Sequence, residues 1–158
     1  MPNAAANETQ ITQHIAAPRP RVYAALLDPA AVQQWMVPDG MTSDIHTFDA
    51  REGGHIRVSL TYDAPGATGK TSAETDTYHG QFAELVPDKR VVQVLAFETD
   101  DPAMQGKMII TYTLTDAPNG GTTLHSHHDN LPPGIPPEDN ATGTRISLGK
   151  LARLLEGE

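Results

Sequence analysis

The densest run of reactive side chains is His125-Ser126-His127-His128-Asp129. Imidazoles beside a carboxylate suggest two chemistries, metal binding and proton transfer. On a β-strand alternate residues face opposite ways, so His125 and His127 share one face, and Ser126 and His128 share the other with Leu124. Imidazoles two apart on a strand can ligate one metal, and Asp129 could add an oxygen. The sequence identifies no third ligand. Histidines facing water on the outer side of a sheet are therefore the plainer expectation, and no metal or other cofactor is expected. His128 differs, because Leu124 marks its face as the one turned toward the interior. An imidazole there is either a hydrogen-bonded structural histidine, the favoured reading, or a proton donor to a ligand carbonyl.

Other candidates are sparser. Trp35 is the sole tryptophan, placed either to pack the core or to offer a platform to a flat ligand. Asp49 and Arg51 share a strand face and are expected to form a structural ion pair. Glu84 is expected to face solvent. Gly-x-Ser-x-Gly, HExxH and a dinucleotide fingerprint are all absent. Lys70 in GATGKTS only superficially resembles a phosphate loop, because the glycine spacing is wrong and no helix pattern follows it.

These residues need elements to position them. Pro137 to Glu158 carries the only sustained helical stripe, with Leu148, Leu151, Ala152 and Leu155 on one face and Arg145, Lys150, Arg153 and Glu156 elsewhere. Gly143 and Gly149 interrupt it, each costing about 1 kcal/mol against Ala. Thr9 to Ile15 reads as a first strand. Pro18 and Pro20 open a helix through Val22, Tyr23, Leu26 and Leu27, and Asp28-Pro29 ends it and caps a second short one ending near Trp35. Pro38-Asp39-Gly40 makes a turn.

Strands then follow at Thr42–Asp49, His55–Tyr62, Tyr78–Leu85, Arg90–Glu98, Met108–Thr115 and Thr122–His128. Gly53-Gly54, Asp63 to Asp76, Val86 to Lys89 and Asn119-Gly120-Gly121 supply the turns and loops. The economical architecture is α+β: a curved antiparallel sheet of about six strands wrapped around a long C-terminal helix, with two short helices after the first strand. Residues 1–7 are expected to be a flexible tail, and 8–158 a single domain.

Composition limits the partners. A net charge of −9 repels phosphate backbones and anionic lipid, so neither nucleic acid nor membrane is expected. The absence of cysteine excludes disulfides and thiolate chemistry. No secretory signal or apolar span is visible, which makes a cytoplasmic location the default. Edge strands of an antiparallel sheet leave homodimerisation open.

Four segments resemble one family. They are Ala17-Pro18 with VYAALLDP, Trp35 and Pro38-Asp39-Gly40; the hairpin Asp49 to Gly54; Gly80 to Pro87; and Gly121 to Leu124 continuing to His128-Asp129-Asn130-Leu131. Together they are similar to the START-like (SRPBCC) superfamily, in its branch related to the heat-shock-protein-90 ATPase activator. The resemblance implies the helix-grip fold, with a cavity between sheet and last helix.

Residues expected to line that cavity are Trp35, Ile56, Val58, Ile110, Tyr112, Ser126, His128, Leu148 and Leu151. Two departures fall there: Thr144 follows Gly143 where the family often has Gly-Trp, and Ser126 stands where a hydrophobic residue is common. Gly149, in the stripe region, is expected to leave room for a ligand or close sheet contact. The leading expectation for function is binding of a small hydrophobic molecule. One alternative is a cyclase-, hydrolase- or isomerase-type enzyme using His128 as acid or base. The other is a co-chaperone-like interaction domain.

Overall fold

The computed structural model describes residues 7–37, 40–62, 75–118 and 120–156. Most of the expected N-terminal tail, Pro38-Asp39, residues 63–74 with Lys70, Asn119 and the last two residues of the expected final helix lie outside the described residues.

Proline and aspartate punctuate the first segment as their backbone preferences require. After β1 (Thr9–Ile15), α1 (Arg19–Leu27) carries proline in its first turn and buries Val22, Ala25 and Leu26. Asp28 then caps α2 (Pro29–Trp35), its carboxylate accepting from the Ala30 amide at 3.0 Å.

The remaining strands are β2 (Met41–Phe48), β3 (His55–Tyr62), β4 (Thr75–Val86), β5 (Arg90–Phe97), β6 (Met108–Asp116) and β7 (Thr122–Asp129). All pairings are antiparallel, in the order β1-β7-β6-β5-β4-β3-β2. The sheet counts seven strands because β1 joins it, pairing from Thr9 opposite His128 to Ile15 opposite Thr122. Bulges between Ile45 and Thr47 and between Phe82 and Glu84 help to bend the strands and curl the sheet. Gly80 lets β4 and β5 close up: a Cβ there would stand 1.8 Å from the Val94 carbonyl oxygen.

The curled sheet holds α3 (Pro137–Glu156) in its concave face. Leu148, Leu151, Ala152 and Leu155 are all buried, as the stripe requires, while Arg145, Arg153 and Glu156 are exposed. Lys150 departs from that pattern. It is half-buried and donates to the Val37 carbonyl at 2.6 Å, tying α3 to the end of α2. Trp35, Phe82, Leu124, Leu148 and Leu151 are among the largest fully buried side chains and belong to one core.

Candidate functional site

The N-terminal half of α3 does not close fully onto the sheet, and a cavity of about 270 Å³ lies between them. Its sheet wall comes from one end of the strands: Leu60 on β3, Tyr78 on β4, Leu95 and Phe97 on β5, and Ile110 and Tyr112 on β6. Trp35 closes one side from α2 and Leu148 contributes from α3. Trp35 serves packing as well as lining. The residue is 1% exposed, its Nε1–H donates to the Ala25 carbonyl at 3.1 Å, and its ring and that of Tyr112 meet in a T-shaped contact.

Of the residues predicted to line the cavity, Trp35, Ile110, Tyr112, His128 and Leu148 do so. Ile56, Val58, Ser126 and Leu151 do not; they are packed into the interior at 3%, 1%, 0% and 0% exposure. The inward face was read correctly for these four, but they lie farther along their strands or helix than the opening. Gly149 is likewise away from the cavity, and a Cβ there would meet only Arg153 Nη1, at 3.5 Å. Gly143 and Thr144 do line it, and a Cβ on Gly143 would meet nothing within 4 Å.

Polar groups gather on the helix side. Asp139, Asn140, Thr144 and Ser147 project from α3, and Asp76 and His128 come from the sheet. Asp76 is 1% exposed, an acidic side chain set inside the domain. It was expected at the end of a loop, but β4 begins at Thr75, so Asp76 shares the concave face with Tyr78 and Phe82. The even-numbered alternation Asp76, Tyr78, Gly80, Phe82 was the available signal. Asn140 accepts from the Thr9 hydroxyl, joining the edge strand to α3, and Thr144 donates to the Asn140 carbonyl at 2.8 Å.

The two ring nitrogens of His128 are sealed from solvent and, among the described residues, neither makes a well-formed hydrogen bond, although the Asn140 side chain is close enough to act on the ring. Desolvation by burial, with a smaller contribution from the neighbouring His127, pulls its pKa down to about 4, partly opposed by Asn140. The ring is therefore neutral at neutral pH. Burial raises the pKa of Tyr78 and Tyr112, so both phenols stay protonated. Tyr78 donates to the Met36 sulfur at 3.6 Å.

His125 and His127 point away from the cavity but do not pair with each other. His125 Nε2 is 3.1 Å from Gln10 Oε1, and His127 Nε2 is 2.9 Å from Glu8 Oε1. Glu8, His127 and Asp129 bring ligating atoms within 4.8 Å of one another, a third donor invisible in the local sequence. The group is half-buried on the outer face, and the ion pair between His127 and Glu8 accounts for part of its arrangement. Asp49 and Arg51 form an exposed ion pair at 2.6 Å, and Glu84 pairs with Arg90 at 2.6 Å. These brace turns and strand ends away from the cavity.

The family model for activator of Hsp90 ATPase homolog 1-like protein matches residues 16–156. The chain belongs to this family. Several solved structures share the helix-grip fold of this chain. Protein CV1439 from Chromobacterium violaceum is 31% identical, with 95% of this chain and 98% of that one covered at a TM-score of 0.82. A Rhodobacter sphaeroides protein is 22% identical, covering 100% and 97% at 0.75. An Arthrobacter aurescens protein is 15% identical, covering 100% and 91% at 0.79. No curated protein matches the chain. Family and fold support a ligand-binding or co-chaperone-type domain. Among the described residues no helix is long and apolar enough to cross a membrane.

Proposed function

We propose that the domain binds a small, largely apolar molecule in the cavity between the sheet and the N-terminal half of α3. The observation that carries this reading is the cavity itself. Its volume of about 270 Å³ is near the lower end of the range for small-molecule sites, and its sheet wall is aromatic and aliphatic. A core packed only for stability would fill such a space, because each lost contact weakens the fold. His128 adds support: a buried imidazole with no well-formed hydrogen bond among the described residues is a group that a ligand or ordered water completes.

Trp35 supplies the test. As the sole tryptophan, on the cavity wall, it reports occupancy through its fluorescence. Titration with 2-naphthol should give saturable quenching and raise the melting temperature. Thr144→Trp should abolish both while the variant still unfolds cooperatively, because the new indole occupies the cavity. Absence of saturable binding in the wild type, or undiminished binding in the variant, would overturn the proposal.

A second reading makes the same cavity a site of isomerase- or cyclase-type chemistry. It is favoured by the convergence of His128, Tyr112 and Asp76 on one space. A neutral imidazole can donate an N–H to a ligand carbonyl. A ligand recovered with the protein would then be converted on incubation, and His128→Asn would stop conversion while leaving binding in place. Unchanged conversion in that variant would sink this reading.

A further inference from the structure

We propose that Glu8, His127 and Asp129 form a binding site for a divalent transition-metal ion, with zinc the best matched, on the outer face of the sheet. The site is separate from the cavity and does not rest on the cavity being occupied.

Strand geometry brings the three donors together. His127 and Asp129 stand two apart on β7 and so project to one side. It is the side opposite Leu124 and Ser126, which are fully buried. On the antiparallel neighbour β1, Gln10 lies opposite His127 and Thr9 opposite His128. The next residue back, Glu8, therefore comes alongside Asp129. The Leu131 amide continues this contact by donating to the Asn7 carbonyl at 2.8 Å. One imidazole nitrogen and two carboxylate oxygens thus lie within 4.8 Å of one another, on three half-buried side chains. Among the described residues no other group of three such donors forms.

The spacing suits an ion. Zinc–nitrogen and zinc–oxygen bonds place two neighbouring donors roughly 3–3.5 Å apart. His127 Nε2 and Glu8 Oε1 are already at 2.9 Å. The Oδ1 of Asp129 accepts from the Asn130 amide at 2.8 Å, which orients the carboxylate and leaves Oδ2 for a metal. One imidazole with two carboxylates is a donor set of intermediate softness. It favours zinc, cobalt or manganese over copper(I), which prefers sulfur, and over calcium, which takes six or more oxygens. Water completes the coordination.

Charge points the same way. Carboxylates side by side across a strand pair repel each other. Among the described residues Glu8 has an ion pair with His127 alone, and Asp129 has none. Residues 1–7 contain no lysine or arginine. His79 and Glu98 differ in this respect. They are 3.1 Å apart, but Arg57 donates twice to the same carboxylate, so a guanidinium holds the place a metal would take. His125 shares the outer face with His127, yet its ring nitrogens are engaged by Gln10 and Thr12.

Cobalt(II), whose visible absorption reports its ligands, tests the site in the full chain after chelator treatment and without a polyhistidine tag. One cobalt should bind per chain in the presence of excess magnesium. Zinc should displace it and raise the melting temperature. Glu8→Gln and His127→Gln should each weaken cobalt binding at least about tenfold and remove the zinc-dependent rise, while His125→Gln changes neither. Circular dichroism verifies folding. Asp129→Asn, which keeps an acceptor for the Asn130 amide, replaces either variant if it fails to fold. Lack of stoichiometric cobalt binding, undiminished binding in the ligand variants, or an equal loss in His125→Gln would overturn the proposal.

Discussion

The rings of Trp35 and Tyr112 meet edge to face, with centroids 6.3 Å apart and planes inclined at 78°. The contact links α2 to β6 across the cavity wall, and the Trp35 indole is anchored behind by the Ala25 carbonyl. One side chain therefore shapes the cavity and holds the helical pair against the sheet.

Replacing that indole in steps should separate these roles. Trp35→Phe keeps an aromatic ring but loses the Ala25 hydrogen bond, and should lower stability by about 1–2 kcal/mol. Trp35→Ala should lose about 3–5 kcal/mol. Denaturant unfolding followed by far-ultraviolet circular dichroism measures both. Equal losses would show that ring packing contributes little.

His128 predicts a pH dependence with a definite sign. Its folded pKa is about 4 against an ordinary value of 6.5. Between those values the unfolded chain takes up a proton that the folded chain refuses, so stability falls as the pH drops through the window. The full change is roughly 3 kcal/mol. Above pH 6.5 this group adds no slope. Unfolding of wild type and His128→Leu, compared across the window, isolates the histidine from the carboxylates that titrate alongside it. Parallel curves would contradict the prediction.

The helix glycines invite the opposite kind of change. Nothing crowds a Cβ at Gly143, and at Gly149 it meets only Arg153 at ordinary contact distance. Gly143→Ala and Gly149→Ala should each raise stability by about 1 kcal/mol, through better helix propensity and a more restricted unfolded chain. Thermal unfolding checks this, and a lowered melting temperature for Gly149→Ala would reveal a packing demand at that site.

Ser126 stands opposite Tyr112 in the β6–β7 pairing, fully buried, with an Oγ that has no hydrogen-bond partner among the described residues. Ser126→Ala removes that unsatisfied hydroxyl and should raise stability by about 1 kcal/mol. If the variant is instead less stable, a bound water must be satisfying the hydroxyl.

The sequence made the fold legible because alternation and helical periodicity both point inward at the same places. Leu148, Leu151, Ala152 and Leu155 are buried as their spacing requires, and Asp28 caps the helix it was expected to cap. What periodicity does not encode is position along the strand. Ile56 and Val58 share a face with Leu60, yet only Leu60 reaches the cavity. Ser126 and His128 divide in the same way. The opening depends on where α3 separates from a curled sheet, a three-dimensional property with no periodic trace. Asp76 was hidden by its neighbours, since a run of small polar residues reads as loop until the pairing of Leu60 with Asp76 extends β4. Glu8 came to His127 only through the long-range pairing of β1 with β7.

That pairing also bears on the order in which the domain can be completed. β1 precedes the other strands of this sheet in the chain, yet among the described residues its neighbour in the sheet is β7 alone. Until β7 emerges, roughly a hundred residues later by their register, β1 has no native sheet partner. Contacts so distant in sequence slow folding and prolong exposure of unpaired backbone. The hydrogen bond from Thr9 to Asn140 extends the wait into α3. The foremost strand of this sheet is thus among the last to be secured, and its backbone stays unpaired while the strands between are completed.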